Sequence, residues 1–329
     1  MQTILDYLRY HPFTVWLRLT LYSFGENIRL ARHLGASNNR TRKNKFEADL
    51  AIRTHAIEKG LALPRPRPGF GTAKVSQLLT LLTQYHARFG NGEIIASALA
   101  VLRHYFDFQT ASQHPCPELA ARYEALVQAT GAGAPDPALG GLVALGKEEV
   151  QAAAAIDFAR FAALRYSVRD FSGAAIDEAA LRSALEIARK TPSACNRQSW
   201  RVYVFRGRSK NALLEWQGGN RGFTEGIDTA ILITSDLNQF FLNERHQAYV
   251  DGGLYAMNLL YALHAQGLGT IPLTTGKKDK EIARLHHEFH IPASEVPVLI
   301  IGAGCLKDRF RVALSVRKQI DDYVQFRTD

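Results

Sequence analysis

Residues 177–206 read DEAALRSALEIARKTPSACNRQSWRVYVFR, so that a helix pattern, a polar loop and a strand pattern follow one another. Residues 177–190 have an amphipathic period, with acidic residues in the first turn and basic residues in the last, as the helix dipole prefers. Residues 201–206 are β-branched or aromatic at most positions, which predicts a sheet strand. This succession predicts an α+β fold.

The rest of the C-terminal half repeats this mixture. Residues 229–235 (TAILITS) and 297–303 (PVLIIGA) predict two more strands, and residues 247–266 between them predict an apolar helix. That helix contains Gly252 and Gly253, each of which costs roughly 1 kcal/mol relative to Ala, so we expect another backbone to approach closely there. The elements together predict a mixed sheet flanked by helices.

The N-terminal half is mainly helical. Helix patterns cover residues 45–60, 72–89, 94–106 and 118–130, and the PRPRPG run at 64–69 predicts an extended or turning loop. A stretch dense in Gly, Pro and Ala then follows, which is typical of a flexible connection. We therefore divide the chain into a basic helical region (1–130), a linker (131–150) and a second domain (151–329).

The first residues include an apolar run at 12–24 that Arg18 interrupts. A membrane span needs roughly 20 mostly apolar residues, so we expect residues 3–34 to form one or two amphipathic helices instead. These helices would pack on the core or attach to a membrane surface. The expected protein is cytoplasmic or peripheral to a membrane.

The net charge of +9 lies entirely at the N-terminus. Residues 1–90 hold 14 Lys and Arg against 5 Asp and Glu, whereas residues 91–329 hold 26 of each. The excess is a solvated basic face, or it attracts an anionic lipid surface or a glycan. No nucleic-acid-binding motif accompanies it, so we expect no nucleic-acid partner. The three cysteines form no CxxC pair, and we expect no metal site.

Two polar clusters carry candidate chemistry. Arg165, Ser167 and Arg169 share one side of an extended segment, where two guanidinium groups and a hydroxyl suit a phosphate or form surface charge. The loop at 191–200 carries Asn196 and Gln198, whose amides offer donors and acceptors that can match the polar edge of a flavin ring or cap the loop itself.

These clusters resemble the nitroreductase family in their order along the chain. An Arg-x-Ser-x-Arg segment, a helix, and a Pro-Ser-x-x-Asn-x-Gln-x-Trp loop entering a strand are similar to the N-terminal signature of that family. The helix at 251–260 and the turn Gly267-Leu268-Gly269 resemble its central helix and the turn that reaches the flavin. Ser315-Val316-Arg317-Lys318 resembles its C-terminal phosphate contact.

The resemblance implies a homodimer that binds FMN at the subunit interface. The residues expected near the FMN phosphate or ribityl chain are Arg165, Ser167, Ser315 and Arg317. The residues expected at the ribityl hydroxyls and the polar ring edge are Arg169 (toward N1 and O2), Ser193, Asn196, Gln198 and, at the pyrimidine edge, Asn220. Backbone groups near N5 are expected from Pro272, Leu273, Thr274 and Thr275.

The implied activity is electron transfer from NADH or NADPH through FMN to a small organic acceptor. The flavin carries the chemistry, so no catalytic side chain is expected. Two other functions remain open: a flavoenzyme that acts directly on a glycan or lipid-linked intermediate, and a flavin-binding scaffold without catalysis.

Three features modify this expectation. Ser199 stands where the family often has Pro. Only about ten residues separate the strand at 229–235 from the helix at 247, where many relatives carry a lid. The basic N-terminal region therefore folds over the flavin as a lid, stays apart as an anchor, or is a structural appendage only. Residues 55–61 (HAIEKGL) resemble an N-terminal extension of nitroreductase-like proteins associated with surface-polysaccharide synthesis, or they are simply a helix end.

Overall fold

A computed structural model describes residues 11–34, 42–131 and 133–328 of the chain. Of the helix expected at 3–34, residues 3–10 therefore lie outside the described part, and the remainder forms α1 (Pro12–His33). Among the described residues, no helix combines the length and the apolar character that a membrane crossing requires.

The helical N-terminal region is confirmed. Its further helices are α2 (Lys43–Leu61), α3 (Thr72–Phe89), α4 (Glu93–Ala111) and α5 (Pro117–Thr130). They bury one hydrophobic core, whose fully enclosed side chains include Leu50, Leu78, Tyr85 and Leu102. The helical period of the sequence is thus explained by a helix bundle with its own interior.

Part of the expected linker lies against this bundle. A Cβ atom at Gly140 would lie 2.8 Å from the Ser97 carbonyl oxygen, and the Gly141 amide donates to Glu58 Oε1 at 3.1 Å. Glycine at 140 therefore permits a close approach to α4. The division of the chain into domains stays a prediction.

Among the described residues, the second half contains six α-helices and four strands. The helices are α6 (Lys147–Ala153), α7 (Phe158–Leu164), α8 (Glu178–Ala188), α9 (Gly207–Gln217), α10 (Gln247–Ala265) and α11 (Asp279–Glu288). The strands are β1 (Trp200–Arg206), β2 (Thr229–Asp236), β3 (Leu268–Thr274) and β4 (Glu295–Cys305).

The four strands form one sheet in the order β1-β2-β4-β3, with all neighbours antiparallel. The only parallel pairing among the described residues is an isolated bridge between Ser167 and Thr270. The three predicted strands are confirmed. Strand β3 was missed because Gly269 and Pro272 break a strand pattern, yet Pro is tolerated there because β3 is an edge strand.

Helices cover both faces of this sheet. On one face, α8 and α10 bury Leu181, Leu259 and Leu263 against Ile231 and Ile301. On the other face, α9 and α11 bury their apolar side chains against the alternate strand residues Leu232 and Ile300. Because strand side chains alternate, β2, whose eight residues are all buried, is covered on both faces.

The two glycines of α10 have different surroundings. A Cβ at Gly252 would lie 2.6 Å from Cγ2 of Val298, whereas a Cβ at Gly253 meets no atom within 4 Å. The expected close approach is therefore real at Gly252 alone. Its neighbour is a side chain of β4 and not a backbone, which corrects the sequence-based expectation.

This difference predicts opposite effects of two adjacent substitutions. Gly252→Ala forces Val298 to move, at a cost of about 1–3 kcal/mol that exceeds the helix-propensity gain. Gly253→Ala should raise the free energy of unfolding by about 0.5–1 kcal/mol, because it gains only helix propensity. Urea denaturation of both variants measures this; a loss of stability at both positions would contradict the assignment and place another chain against Gly253.

Candidate functional site

The polar loop between α8 and β1 has a strained backbone. Cys195, Asn196 and Gln198 all have left-handed conformations, with φ of 50°, 52° and 48°. Each such residue costs of order 1–3 kcal/mol, and such strain persists only where the surroundings enforce it, most often at functional sites. The loop is therefore a candidate site on its own geometry.

Arg197 is the residue that enforces this conformation. Its side chain is fully buried and makes two parallel hydrogen bonds to Glu244, from Nη1 and Nη2 at 2.8 Å each. Nε donates to the Ala194 carbonyl at 2.8 Å, and Nη1 also donates to the Gln239 carbonyl at 2.6 Å. The guanidinium stacks on Phe240 at 4.9 Å. The loop is thus tied to the connection between β2 and α10.

The ionisation of Glu244 follows from this contact. Burial would raise the pKa of its carboxyl group, but the hydrogen bonds from Arg197 and from the Phe241 amide outweigh burial and lower the pKa. The carboxylate is therefore ionised at neutral pH and remains paired with the buried cation.

The structure brings together three expected ring contacts. The Gln198 amide nitrogen of the backbone donates to Ser193 Oγ at 2.9 Å, and Gln198 Nε2 donates to Asn196 Oδ1 at 3.4 Å. The side chains of Asn196 and Gln198 are exposed. Asp251 of α10 also fixes the loop, because its carboxylate accepts a hydrogen bond from the Ala194 amide at 3.2 Å.

The basic segment runs along strand β3. The Val168 amide donates to the Thr270 carbonyl at 2.8 Å, which fixes Ser167 opposite Thr270. Arg169 Nη1 donates to the Ser167 carbonyl at 3.3 Å. Within the described parts of the chain, no carboxylate forms an ion pair with Arg165 or Arg169, so their charges are available to an anion.

The four residues expected near N5 complete β3 and its exit. Leu273 is buried and Thr274 is exposed. The Thr275 hydroxyl donates to the carbonyls of Pro297 and Val298, at 3.0 Å each, and so anchors the exit to β4. Pro272 lies on the strand itself. Only backbone atoms and the Thr274 side chain remain for a ligand here.

Asn220 has little left to offer a ligand. Its Nδ2 donates to the Leu214 carbonyl at 2.6 Å and to Gln217 Oε1 at 3.1 Å, while its Oδ1 accepts from Thr224 at 2.5 Å. Gln217 in turn donates to the Thr274 carbonyl at 3.1 Å. Asn220 therefore supports the exit of β3 indirectly, through Gln217.

The C-terminal candidates lie in an extended tail. Ser315 and Arg317 are exposed, and Arg317 donates to the Ser315 carbonyl. Among the described residues, no hydrogen bond or ion pair joins Arg317 to Arg165 or Ser167.

A cleft of about 320 Å³ lies beside the exit of β3. The lining residues come from α1, α10, α11 and the ends of β3 and β4: Glu26, Arg29, Tyr249, Thr275, Gly276, Lys277, Asp279, Ile282, Pro297 and Val298. Burial raises the pKa of Tyr249, and the charge of Glu26 adds to this, so the hydroxyl stays protonated and can donate a hydrogen bond. The cleft combines an apolar floor with a charged rim.

Helix α1 forms one wall of this cleft and is fixed there. Arg29 Nη2 pairs with Asp279 Oδ1 at 3.1 Å, and a Cβ at Gly25 would lie 2.0 Å from Asp279 Oδ2, so a larger residue at 25 would displace the Asp279 carboxylate. Leu30 and Leu34 are buried against four apolar residues of the sheet domain, namely Leu237, Phe240, Ala248 and Val296.

Helix α2 covers the strained loop. It packs against the turn Ala194–Asn196, and Asn44 Nδ2 donates to Asp236 at 3.4 Å. These contacts place α2 against the loop, while the role of the N-terminal region as lid, anchor or structural appendage stays a prediction. The short connection between β2 and α10 leaves room for it.

Sequence reasoning missed Arg197, Glu244 and the α1 residues Glu26 and Arg29. Arg197 lies inside the quoted loop, but its partner is 47 residues away in a connection without a pattern. Arg29 lies 250 residues from Asp279. No local signal in the sequence indicates either pairing.

A nitroreductase family model matches residues 162–221 and 214–305. Similar solved structures include a nitroreductase family protein from Streptococcus pneumoniae, 23% identical with a TM-score of 0.43, which covers 52% of this chain and 100% of that one. A putative nitroreductase in complex with FMN from Desulfovibrio desulfuricans is 21% identical, with a TM-score of 0.45 and coverage of 53% and 98%. Among curated proteins, none matches. Residues 162–305 are therefore the part of this chain that is similar to the nitroreductase family.

Proposed function

We propose that this protein binds FMN and transfers electrons from NADH or NADPH to a small organic acceptor. The observation that carries the proposal is the pairing of Ser167 with Thr270. It sets the phosphate candidates and the residues at 272–275 on adjacent segments, within about 17 Å at a strand rise of 3.3 Å per residue. A cofactor with a phosphate at one end and a reactive ring at the other suits that separation.

The residues present fit such a cofactor. Arg165 and Arg169 offer guanidinium groups without a carboxylate partner among the described residues, and Asn196 and Gln198 present exposed amides. When bound, FMN supplies the electron-transfer chemistry. The chain binds and orients it, and Arg169 places a cation where negative charge on the ring would be favoured.

The cleft beside β3 suits the acceptor. Thr275 and Gly276 line it, next to the backbone expected at the reactive edge of the ring, and Ile282 and Val298 make part of its floor apolar. Its volume lies at the lower end of the range for small-molecule sites. Helix α1 closes one side, which limits the size of an acceptor and excludes water.

The HAIEKGL segment has a structural explanation in this fold. His55 Nδ1 lies 3.2 Å from Glu58 Oε2, and Glu58 Oε1 accepts from the Gly141 amide at 3.1 Å. These contacts fasten the end of α2 to the linker. A link to surface-polysaccharide synthesis rests on the resemblance of the segment alone.

A homodimer is part of this proposal. The extended tail exposes large apolar side chains, 75% of Leu314, 83% of Val316 and 86% of Phe326. Val250 and Leu254 of α10 are also about half exposed. Apolar surface of this extent favours burial against a second copy. Such a copy would also supply a neighbour for the tail that carries Arg317.

The central test is the absorbance of the protein with bound FMN, followed by anaerobic mixing with NADH or NADPH. We expect flavin absorbance that is bleached by at least one nucleotide, because the proposed position of the reactive ring edge adjoins the cleft. Bound flavin that neither nucleotide bleaches would favour a scaffold or a direct action on another substrate. A protein that binds no flavin would contradict the whole proposal.

Loss of a phosphate contact should weaken FMN binding. Each charge-assisted hydrogen bond is worth roughly 1.5–3 kcal/mol, so Arg165→Ala and Arg317→Ala should each raise the Kd about 10- to 150-fold in a flavin titration. Arg182→Ala is the matched control, because Arg182 pairs with Glu178 on the exposed side of α8. Unchanged affinity in both test variants would place the phosphate elsewhere.

Sedimentation should show a dimer at micromolar concentration. Val316→Asp should shift the equilibrium toward monomers, because it would bury an unpaired charge in the interface. Leu142→Asp serves as the control, since Leu142 is exposed in the linker. A flavin-loaded monomer of the unsubstituted protein would refute the dimer.

A further inference from the structure

Helix α1 has two faces of different character. Its inner face carries Arg29, Leu30 and Leu34, which contact the sheet domain. Its outer face leaves large apolar side chains in solvent: Phe13 is 60% exposed, Trp16 58%, Leu17 42%, Phe24 66% and Ile28 37%. An ordinary surface helix has polar residues on the face that points away from the core, so this exposure needs another explanation.

The exposed residues form a stripe along the helix. Phe13, Leu17, Phe24 and Ile28 follow one another at spacings of four, seven and four residues, which places them on one side of an α-helix. Trp16 lies at the margin of the stripe, with its ring 5.8 Å from that of Phe13. The stripe carries aromatic side chains at Phe13 and Phe24.

The charge of the surrounding region is strongly positive. Residues 1–90 carry the whole net charge of +9, and the remainder of the chain is neutral. Arg32 on α1 and the loop residues Arg65 and Arg67 are exposed. A cationic region attracts an anionic surface and repels a second copy of itself.

We propose that the outer face of α1 docks the protein on an anionic membrane surface, with the helix lying in the plane of the interface. Aromatic side chains favour the boundary between lipid headgroups and acyl chains, and neighbouring Lys and Arg side chains are attracted to anionic headgroups. A soluble polysaccharide would satisfy the charges but would leave the apolar stripe in water. A second copy of the chain on this face would bring together two N-terminal regions that each carry a net charge of +9, and these regions would repel each other.

Docking through the outer face of α1 would bring the cleft near the membrane, because the inner face of the same helix lines the cleft. Glu26 and Arg29 line the cleft from the same helix whose opposite side carries the stripe. A helix with its side chains is about 10 Å across, so the cleft lies about that far from the docked surface. This last step rests on the proposed function, whereas the docking itself does not. An acceptor of the proposed reaction would then be drawn from lipid-soluble or lipid-linked compounds.

The test is co-sedimentation of the full chain with phosphatidylcholine vesicles, with and without phosphatidylserine. We expect binding only when phosphatidylserine is present, and weaker binding at high salt. Trp16 should show a blue shift of its fluorescence on binding, whereas Trp216 is already buried at 3% exposure. Absence of phosphatidylserine-dependent binding overturns the proposal.

Two triple variants separate the stripe from general charge. Phe13→Ser, Trp16→Ser and Phe24→Ser together should reduce vesicle affinity on the order of tenfold or more, because the three apolar side chains that would insert into the membrane interface are lost. The control replaces Leu63, Leu139 and Val143 by Ser, which removes exposed apolar side chains elsewhere. Circular dichroism checks that both variants keep their helices.

The remaining outcomes are also decisive. Equal vesicle binding by both triple variants shows that charge alone acts and overturns the docking of α1. A shift from dimer to monomer in the α1 variant, without loss of vesicle binding, shows that a second copy covers the stripe. Loss of vesicle binding with unchanged flavin content and bleaching supports the proposal and leaves the flavin chemistry separate from it.

Discussion

The buried guanidinium of Arg197 is the constraint on which the candidate site depends. A buried charge is tolerated only when paired, and breaking such a pair is far more costly than never having it. Glu244 pairs with it on the connection between β2 and α10, and Gln239 on the same connection donates to the Asn44 carbonyl of α2 at 3.5 Å. One ion pair therefore holds the strained loop, the connection and the cover of N-terminal helices in a fixed relation.

The N-terminal helices can in principle serve both roles that the sequence presented as alternatives. A helix has opposite faces, so one side of α1 can wall a cleft while the other side stays available to a partner. The inner side is fixed by the Arg29–Asp279 ion pair and by burial of Leu30 and Leu34. A lid and an anchor thus need not exclude each other, because opposite faces of the same helix can serve the two roles.

Sequence patterns predicted most of the helices and three of the four strands. The patterns at 201–206, 229–235 and 297–303 became β1, β2 and β4, since β-branched runs suit strands buried within a sheet. Strand β3 was not predicted, because Pro272 and Gly269 interrupt the strand pattern of the sequence, although an edge strand tolerates both. The amide of Asn220 shows the converse limit: residue type suggested a ligand contact, but its hydrogen bonds are made to the end of α9 and to Thr224. Pairings such as Arg197 with Glu244 depend on the assembled fold.

The Arg29–Asp279 contact also orders events in the folding of the chain. It closes a loop of 250 residues, so it forms only after Asp279 has left the ribosome. The helix bundle of α2–α5 has its own core and can fold early, whereas Leu30 and Leu34 must wait in water for partners that lie more than 200 residues later in the chain. During synthesis α1 is therefore open to aggregation or to a chaperone until the sheet domain has formed, and the cleft exists only from that point on.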